Sequence, residues 1–333
     1  MSTFHPLTPD QVTIAVTVYN RRQYVKRAVA SALNQTQPAA RVIVVEDCGP
    51  DATLQDYVKG EFGDRIEYIR NPKRRGLFDN WNACVDYCRT PWLSILHDDD
   101  YLAPNCVESI VALARQQAGC ALYYGHFKVV DEAGNFRPDL GVPAISSATQ
   151  QITLRDVYRS TPIAFAGTVF AIDAVRAVGG FNPHSQFAGD WQMWANLIAR
   201  HGAAATRDHI SYVLGHYGSE RGSTVVMRSG KAHALNYVQR KRVVALMRQR
   251  GMEPIEIDRR EEQALTPVSI KLLLDYGASM SPRLLRYNLK LLTLSRSLNW
   301  RYAVGKAVLD AVGVRGVRAA SRLWNNTREK QRE

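Results

Sequence analysis

The chain reads as an α/β protein: a mostly parallel sheet flanked by helices, followed by a basic helical C-terminal region. Three observations carry this reading. Short β-branched apolar runs alternate with segments whose apolar residues recur at helical spacing. An acidic run, Asp98-Asp99-Asp100, stands one residue after the apolar stretch Trp92 to Leu96. The formal net charge of +12 lies at one end: residues 1–225 hold 21 Lys and Arg against 22 Asp and Glu, whereas residues 226–333 hold 22 against 9. That shift sets the expected boundary, with an α/β domain over 1–225 and a basic helical region over 226–333.

The elements follow in order. Val12 to Val18 is apolar and β-branched, as a strand buried on both faces should be. Val25, Ala28, Val29, Ala32 and Leu33 then recur as one helix face. Val42 to Val45 is a second strand, and Ile66 to Ile69 a third. Phe78 to Tyr87 reads as a helix and Trp92 to Leu96 as the fourth strand. Pro104 opens a helix with Val107, Ile110, Val111 and Ala114 on one side. Ala121 to Val130 reads as a strand, Pro138 to Thr153 as a polar loop, and the apolar stretch Ile163 to Ile172 as a segment crossing the core. A turn at Gly179-Gly180-Phe181-Asn182 precedes a helix from Trp191 to Ala199. Beyond residue 225 the pattern is helical and basic, with leucines at 272–274, 284–285, 289 and 291–292 and arginines at 315, 318 and 322.

Hydrophobic residues make up 46% and charged residues 22%, an ordinary globular balance. No apolar run approaches the roughly 18 residues of a membrane span, and residues 1–10 lack the apolar core of a secretory signal. Five cysteines without zinc-like spacing favour reduced thiols, so a cytoplasmic protein is expected. Cys84 and Cys88, one helical turn apart, are expected to pack.

Three acidic positions follow apolar segments: Asp47, the 98–100 run and Asp190. Adjacent carboxylates repel, and a cation relieves them. At the C-terminal end of a buried strand the run suits a hard divalent ion, Mn²⁺ or Mg²⁺. An enzyme using a nucleotide-activated donor needs carboxylates for a base contact, for a metal and for proton removal.

The chain resembles the family 2 glycosyltransferases of the GT-A fold, whose sheet is Rossmann-like. The resemblance runs through Val16-Thr17-Val18-Tyr19-Asn20, Ser31 to Thr36, Val44 to Thr53, Asn71 to Gly76 with Asn80-Trp81-Asn82, Leu96 to Asp100 with Pro104, Gly179-Gly180-Phe181 and Gly189-Asp190-Trp191. It implies that Thr17 and Tyr19 lie under a nucleotide base, with Tyr19 stacking on it. It implies that Asp47 accepts the uracil N3–H, that Arg75 contacts the base or a phosphate, and that Asp98 lies near the ribose. Asp99 would ligate the metal, with Asp98 and Asp100 as rival ligands. Asp190 would be the catalytic base, and His216 would approach the metal or the diphosphate. The implied reaction is inverting transfer of one sugar from a nucleotide-sugar, a UDP-sugar by the uracil contact, to a glycan or lipid-linked glycan hydroxyl. The Gln-x-x-Arg-Trp motif of processive polymerases does not occur.

The departures from the family pattern are Glu46 for Asp, Cys48-Gly49 for Gly-Ser, His97 for Asp, and Gly189 for an acidic residue. Plain structural roles also fit several residues: Asp47 in a turn, Asp190 as a helix cap, and Trp191 in the core or against an acceptor sugar. The basic region fits an anionic membrane surface at the inner face, or a solvated bundle packed on the catalytic domain. Rival functions are a sugar-nucleotide binder without activity and a basic nucleic-acid-binding protein. The tail lacks interleaved aromatics, so no nucleic-acid partner is expected. A dinucleotide oxidoreductase needs glycines after the first strand, where Thr17 to Arg21 has none.

Overall fold

The computed structural model describes residues 4–137, 145–158, 161–215, 231–252, 285–286 and 313–323. The chain divides into two compact units: residues 1–185 with 189–215, and residues 186–188 with 216–333.

The first unit is built on one nine-stranded sheet. Strand β1 (Val12–Val18) is buried along its whole length, because it lies between two parallel neighbours and is covered on both faces. Helix α1 (Arg22–Leu33) lays Val25, Ala28, Val29 and Ala32 against the sheet. Strand β2 (Arg41–Glu46) pairs with β1, and helix α2 (Leu54–Phe62) leads to β3 (Glu67–Arg70). Helix α3 (Leu77–Tyr87) returns the chain to β4 (Trp92–His97), which pairs with β1 on its other side. Strands β1 to β4 therefore run parallel and end at one edge. All of these except α2, which is not among the expected elements, form close to their expected bounds.

A short β5 (Tyr101–Leu102) and α4 (Cys106–Gln116) follow. Strand β6 (Leu122–Val130) is central to the far half of the sheet. Strand β7 (Thr149–Ile152) pairs with Ala203 to Thr206, so the expected loop over 138–153 contains a strand. Its Thr-Gln-Gln sequence leaves one face open and hides the strand from an apolar criterion. Residues 138–144 of that expected loop lie outside the described residues.

Only Val169 to Ala171 of the stretch 163–172 is strand, here β8, and α5 (Ile172–Ala177) starts at once. Gly167, at φ +82, makes the turn before it; a Cβ there would lie 2.8 Å from Ile210 Cδ1. Helix α6 (Gly189–His201) leads to β9 (Ala203–Leu214), and β9 pairs in parallel with β6. The strand order is β3-β2-β1-β4-β8-β6-β9-β5, with β7 also on β9. Strand β8 is antiparallel to both β4 and β6, so the parallel run is interrupted there.

In the second unit, helix α7 (Lys231–Gln249) buries Val243, Val244 and Met247, and residues 313–323 are helical with Val317 buried. The leucines expected on helices at 272–274, 284, 289 and 291–292 lie outside the described residues. No helix among the described residues is long and apolar enough to cross a membrane.

Candidate functional site

The C-terminal ends of β1, β2 and β4 meet at one edge of the sheet, where ligands of open α/β folds bind. Thr17 pairs with Val45 and His97 across the sheet, and Val18 with Glu46. Register alone therefore brings Tyr19, Asp47 and Asp98 to the same edge.

Asp47 is buried, and its carboxylate is an anchor for the loop that follows β3. It accepts the backbone N–H of Arg75 at 2.7 Å and that of Gly76 at 2.9 Å. Asn71 donates to it at 3.4 Å. Two carboxylate oxygens offer about four acceptor sites, so one more donor still fits. The Arg75 side chain is exposed, while the Arg74 guanidinium lies 4.5 Å from the centre of the Tyr19 ring. Of the two arginines, Arg74 thus covers the ring expected to stack on a base. Glu46 is wholly buried, bonded by Arg70, by Tyr68 Oη at 2.7 Å and by the Gly49 N–H at 2.9 Å. Gly49 is required, because a Cβ there would lie 1.7 Å from the Tyr19 carbonyl oxygen.

The acidic run is buried at all three positions, with Asp98, Asp99 and Asp100 at 6 to 7% exposure. Asp98 accepts a hydrogen bond from the Tyr19 backbone, yet burial pushes its pKa up to about 7. Asp100 accepts the Leu214 N–H at 2.9 Å, and burial together with Asp99 holds its carboxyl well above the usual range. Arg21 bonds both Asp98 and Asp99. His97 Nδ1 lies 3.9 Å from Asp100 Oδ2. Its Nε2 is buried with no hydrogen-bond partner among the described residues, and its ring stacks on Trp81 at 5.6 Å. Burial lowers the His97 pKa, which favours the neutral imidazole that a metal needs.

One ligand atom from each of His97, Asp99 and Asp100 lies within 4.8 Å of the others. Two carboxylates and an imidazole are a donor set that suits Mn²⁺, and the ring nitrogen facing Asp100 is Nδ1. His97, which the sequence marked only as a departure, is thus a member of the cluster. The signal available beforehand was its place at the strand end beside three carboxylates. His216 lies outside the described residues.

Asp190 sits in the first turn of α6, and its Oδ1 accepts the Trp191 N–H at 2.7 Å. Burial raises its pKa to about 6. The residue before it, Gly189, has Phe78 against it: a Cβ would fall 2.1 Å from Phe78 Cε1. The aromatic ring thus takes the space that an acidic side chain would fill. Trp191 is buried and its Nε1 donates to the Val157 carbonyl at 2.6 Å, so it is a core anchor. Asn82 clamps the Gly-Gly-Phe turn by bonding both the N–H and the carbonyl of Phe181. A cavity of about 250 Å³ opens on the face of α6 that carries Gly189, with Gly180, Asn182, Gln192 and Asn196 in its lining.

The family model for glycosyl transferase family 2 matches residues 13–172. An uncharacterized glycosyltransferase of Rickettsia bellii is 27% identical over 67% of this chain and 31% of its own length. The chondroitin synthase of Escherichia coli is 29% identical over 56% of this chain and 26% of its own. The chain therefore spans about a third or less of these two relatives. The crystal structure of S. aureus TarS 1-349 in complex with UDP-GlcNAc superposes with a TM-score of 0.57 at 17% identity, covering 94% of this chain and 92% of that one. The fold is GT-A-like, and residues 13–172 are similar to the glycosyl transferase family 2 model.

Proposed function

We propose that the protein is an inverting glycosyltransferase that moves one sugar from a UDP-sugar to a hydroxyl of a glycan or lipid-linked glycan. The observation that carries this reading is the convergence of Asp47, Asp98 to Asp100 and His97 on one edge of the parallel strands, in a unit that also holds the buried Asp190. The UDP-GlcNAc bound to TarS, a protein of the same fold, supports the donor class.

In this reading Asp47 accepts the uracil N3–H while the loop it anchors, 71–76, frames the base. Thr17 and Tyr19 lie beneath the base, and Arg74 or Arg75 lies above it or on a phosphate. Asp98 faces the ribose. His97, Asp99 and Asp100 would hold the divalent ion. That ion, when bound, supplies positive charge for the departing diphosphate. Asp190 takes the proton of the acceptor hydroxyl as its oxygen bonds the anomeric carbon. The bond from that carbon to the diphosphate oxygen breaks on the opposite face, and the electron pair leaves with the diphosphate. The amide side chains of Asn182, Gln192 and Asn196 beside Asp190 suit the hydroxyls of an acceptor sugar.

The transferase unit comprises 1–225, and the basic region over 226–333 places the protein against the anionic inner face of the membrane. The deciding experiment is a screen of nucleotide sugars for Mn²⁺-dependent thermal stabilisation, since a ligand that binds the native state raises apparent stability. A shift with a UDP-sugar and turnover lost in Asp190→Asn is the expected result. No response to any nucleotide, or near-normal turnover in Asp190→Asn, overturns the reading.

A further inference from the structure

Arg21 is the capping residue of α1 and stands two positions beyond Tyr19, at the mouth of the site. Its Nη1 lies 3.2 Å from Asp98 Oδ1 and makes a close contact with Asp99 Oδ2. The two carboxylates are about a tenth exposed, whereas the Arg21 side chain is 26% exposed. A buried pair of acids is thus covered by a cation that can reach solvent. The neighbouring Arg27 is placed differently. It lies over the Tyr101 ring at 4.4 Å and donates to the Asp99 backbone carbonyl at 3.4 Å.

Asp99 therefore faces two claimants. The carboxylate that bonds Arg21 also belongs to the cluster with His97 and Asp100. A guanidinium and a divalent ion a few ångströms apart repel strongly in a buried site, so both cannot hold Asp99 cheaply. A diphosphate offers a displaced guanidinium a new partner, because its oxygens match the planar fork.

We propose that Arg21 is an exchangeable counter-ion: it holds Asp99 in the free protein, gives it up to the divalent ion, and moves to the donor diphosphate. The proposal rests on the metal and donor assignment above. It makes metal and nucleotide help one another, since each relieves a cost that the other meets on binding.

The test is Mn²⁺ affinity of the full chain, read from the electron paramagnetic resonance signal of free Mn²⁺, with and without UDP. Without UDP, Arg21→Gln should bind Mn²⁺ about tenfold more tightly than the parent, because the competing charge is gone. The gain in Mn²⁺ affinity on adding UDP should shrink in that variant. Arg21→Lys keeps the charge but loses the fork and should fall between the two; it carries the test if Arg21→Gln does not fold. A merely structural arginine predicts the reverse order, with Mn²⁺ binding equal or weaker in the folded variants, and that result overturns the proposal while leaving the metal site standing. Mn²⁺ binding by none of the proteins overturns the metal assignment and the proposal together.

Discussion

Asp190 shows how far a single residue's surroundings set its chemistry. Burial raises its pKa to about 6, against the pull of a helix N-terminus that favours the carboxylate. A base must be ionised to accept a proton, and a raised pKa means that ionisation is lost sooner on acidification. The rate of sugar transfer should therefore fall as pH drops through about 6, which a pH–rate profile will read. Asp190→Asn should lower turnover by roughly a hundredfold or more, with nucleotide-induced stabilisation kept. Gly189 gives a second prediction. Its Cβ-less space is filled by Phe78, so Gly189→Ala should cost about 1–3 kcal/mol of stability by overpacking. Combining it with Phe78→Ala should recover part of that loss in a double-mutant denaturation cycle.

At the scale of elements, the motif Ser31 to Thr36 acquires a physical role. Gln35 is buried; its Nε2 donates to the Ala103 carbonyl and its Oε1 accepts the Val107 N–H. Ser31 Oγ accepts the Leu102 N–H. The end of α1 thus staples down the chain that leaves the aspartate run. Gln35→Leu would strand a buried donor and acceptor and should cost about 2–4 kcal/mol in chemical denaturation, with weaker Mn²⁺ binding. The staple joins residues about 70 apart, so spacing along the sequence does not reveal it. The same limit decided which elements were legible. Strands β1, β2 and β4 are buried on both faces and write themselves as apolar runs. Helix α2 buries only Leu54 and Val58, and β9 passes through Arg207, Asp208 and His209, so neither carries an apolar signature. The two-residue β5 exists only through its pairing with β9. The aspartates could be found because charge at a strand end is conspicuous. His97 could not be assigned, because its meaning depends on which carboxylates its ring meets in space.

For the whole molecule the dominant fact is the separation of charge: residues 1–225 are nearly neutral, and residues 226–333 carry the excess. If that excess serves a membrane surface, the protein should sediment with vesicles containing anionic lipid and stay in solution with neutral ones. The binding should weaken as salt rises, since each basic residue near the surface contributes about 1 kcal/mol that salt screens. Equal binding to both kinds of vesicle, or none, would return the basic region to the role of a solvated bundle.

Helix α3 has a consequence for how such a protein can diversify. One end of it, at Gly76, is tied to Asp47; Phe78 abuts Gly189 beside Asp190; Asn82 grips Phe181. From Gly76 to Asn82 the helix advances roughly 9 Å, and no loop adjustment can alter that rise. The helix works as a fixed gauge between the loop that would read the nucleotide, at Gly76, and the Gly-Gly-Phe turn held by Asn82, with Phe78 against Gly189 between them. Inserting or deleting a residue within it would throw both ends out of register at once. New sugar specificities are therefore open to substitution along the gauge and to remodelling of the loops, but closed to changes in its length.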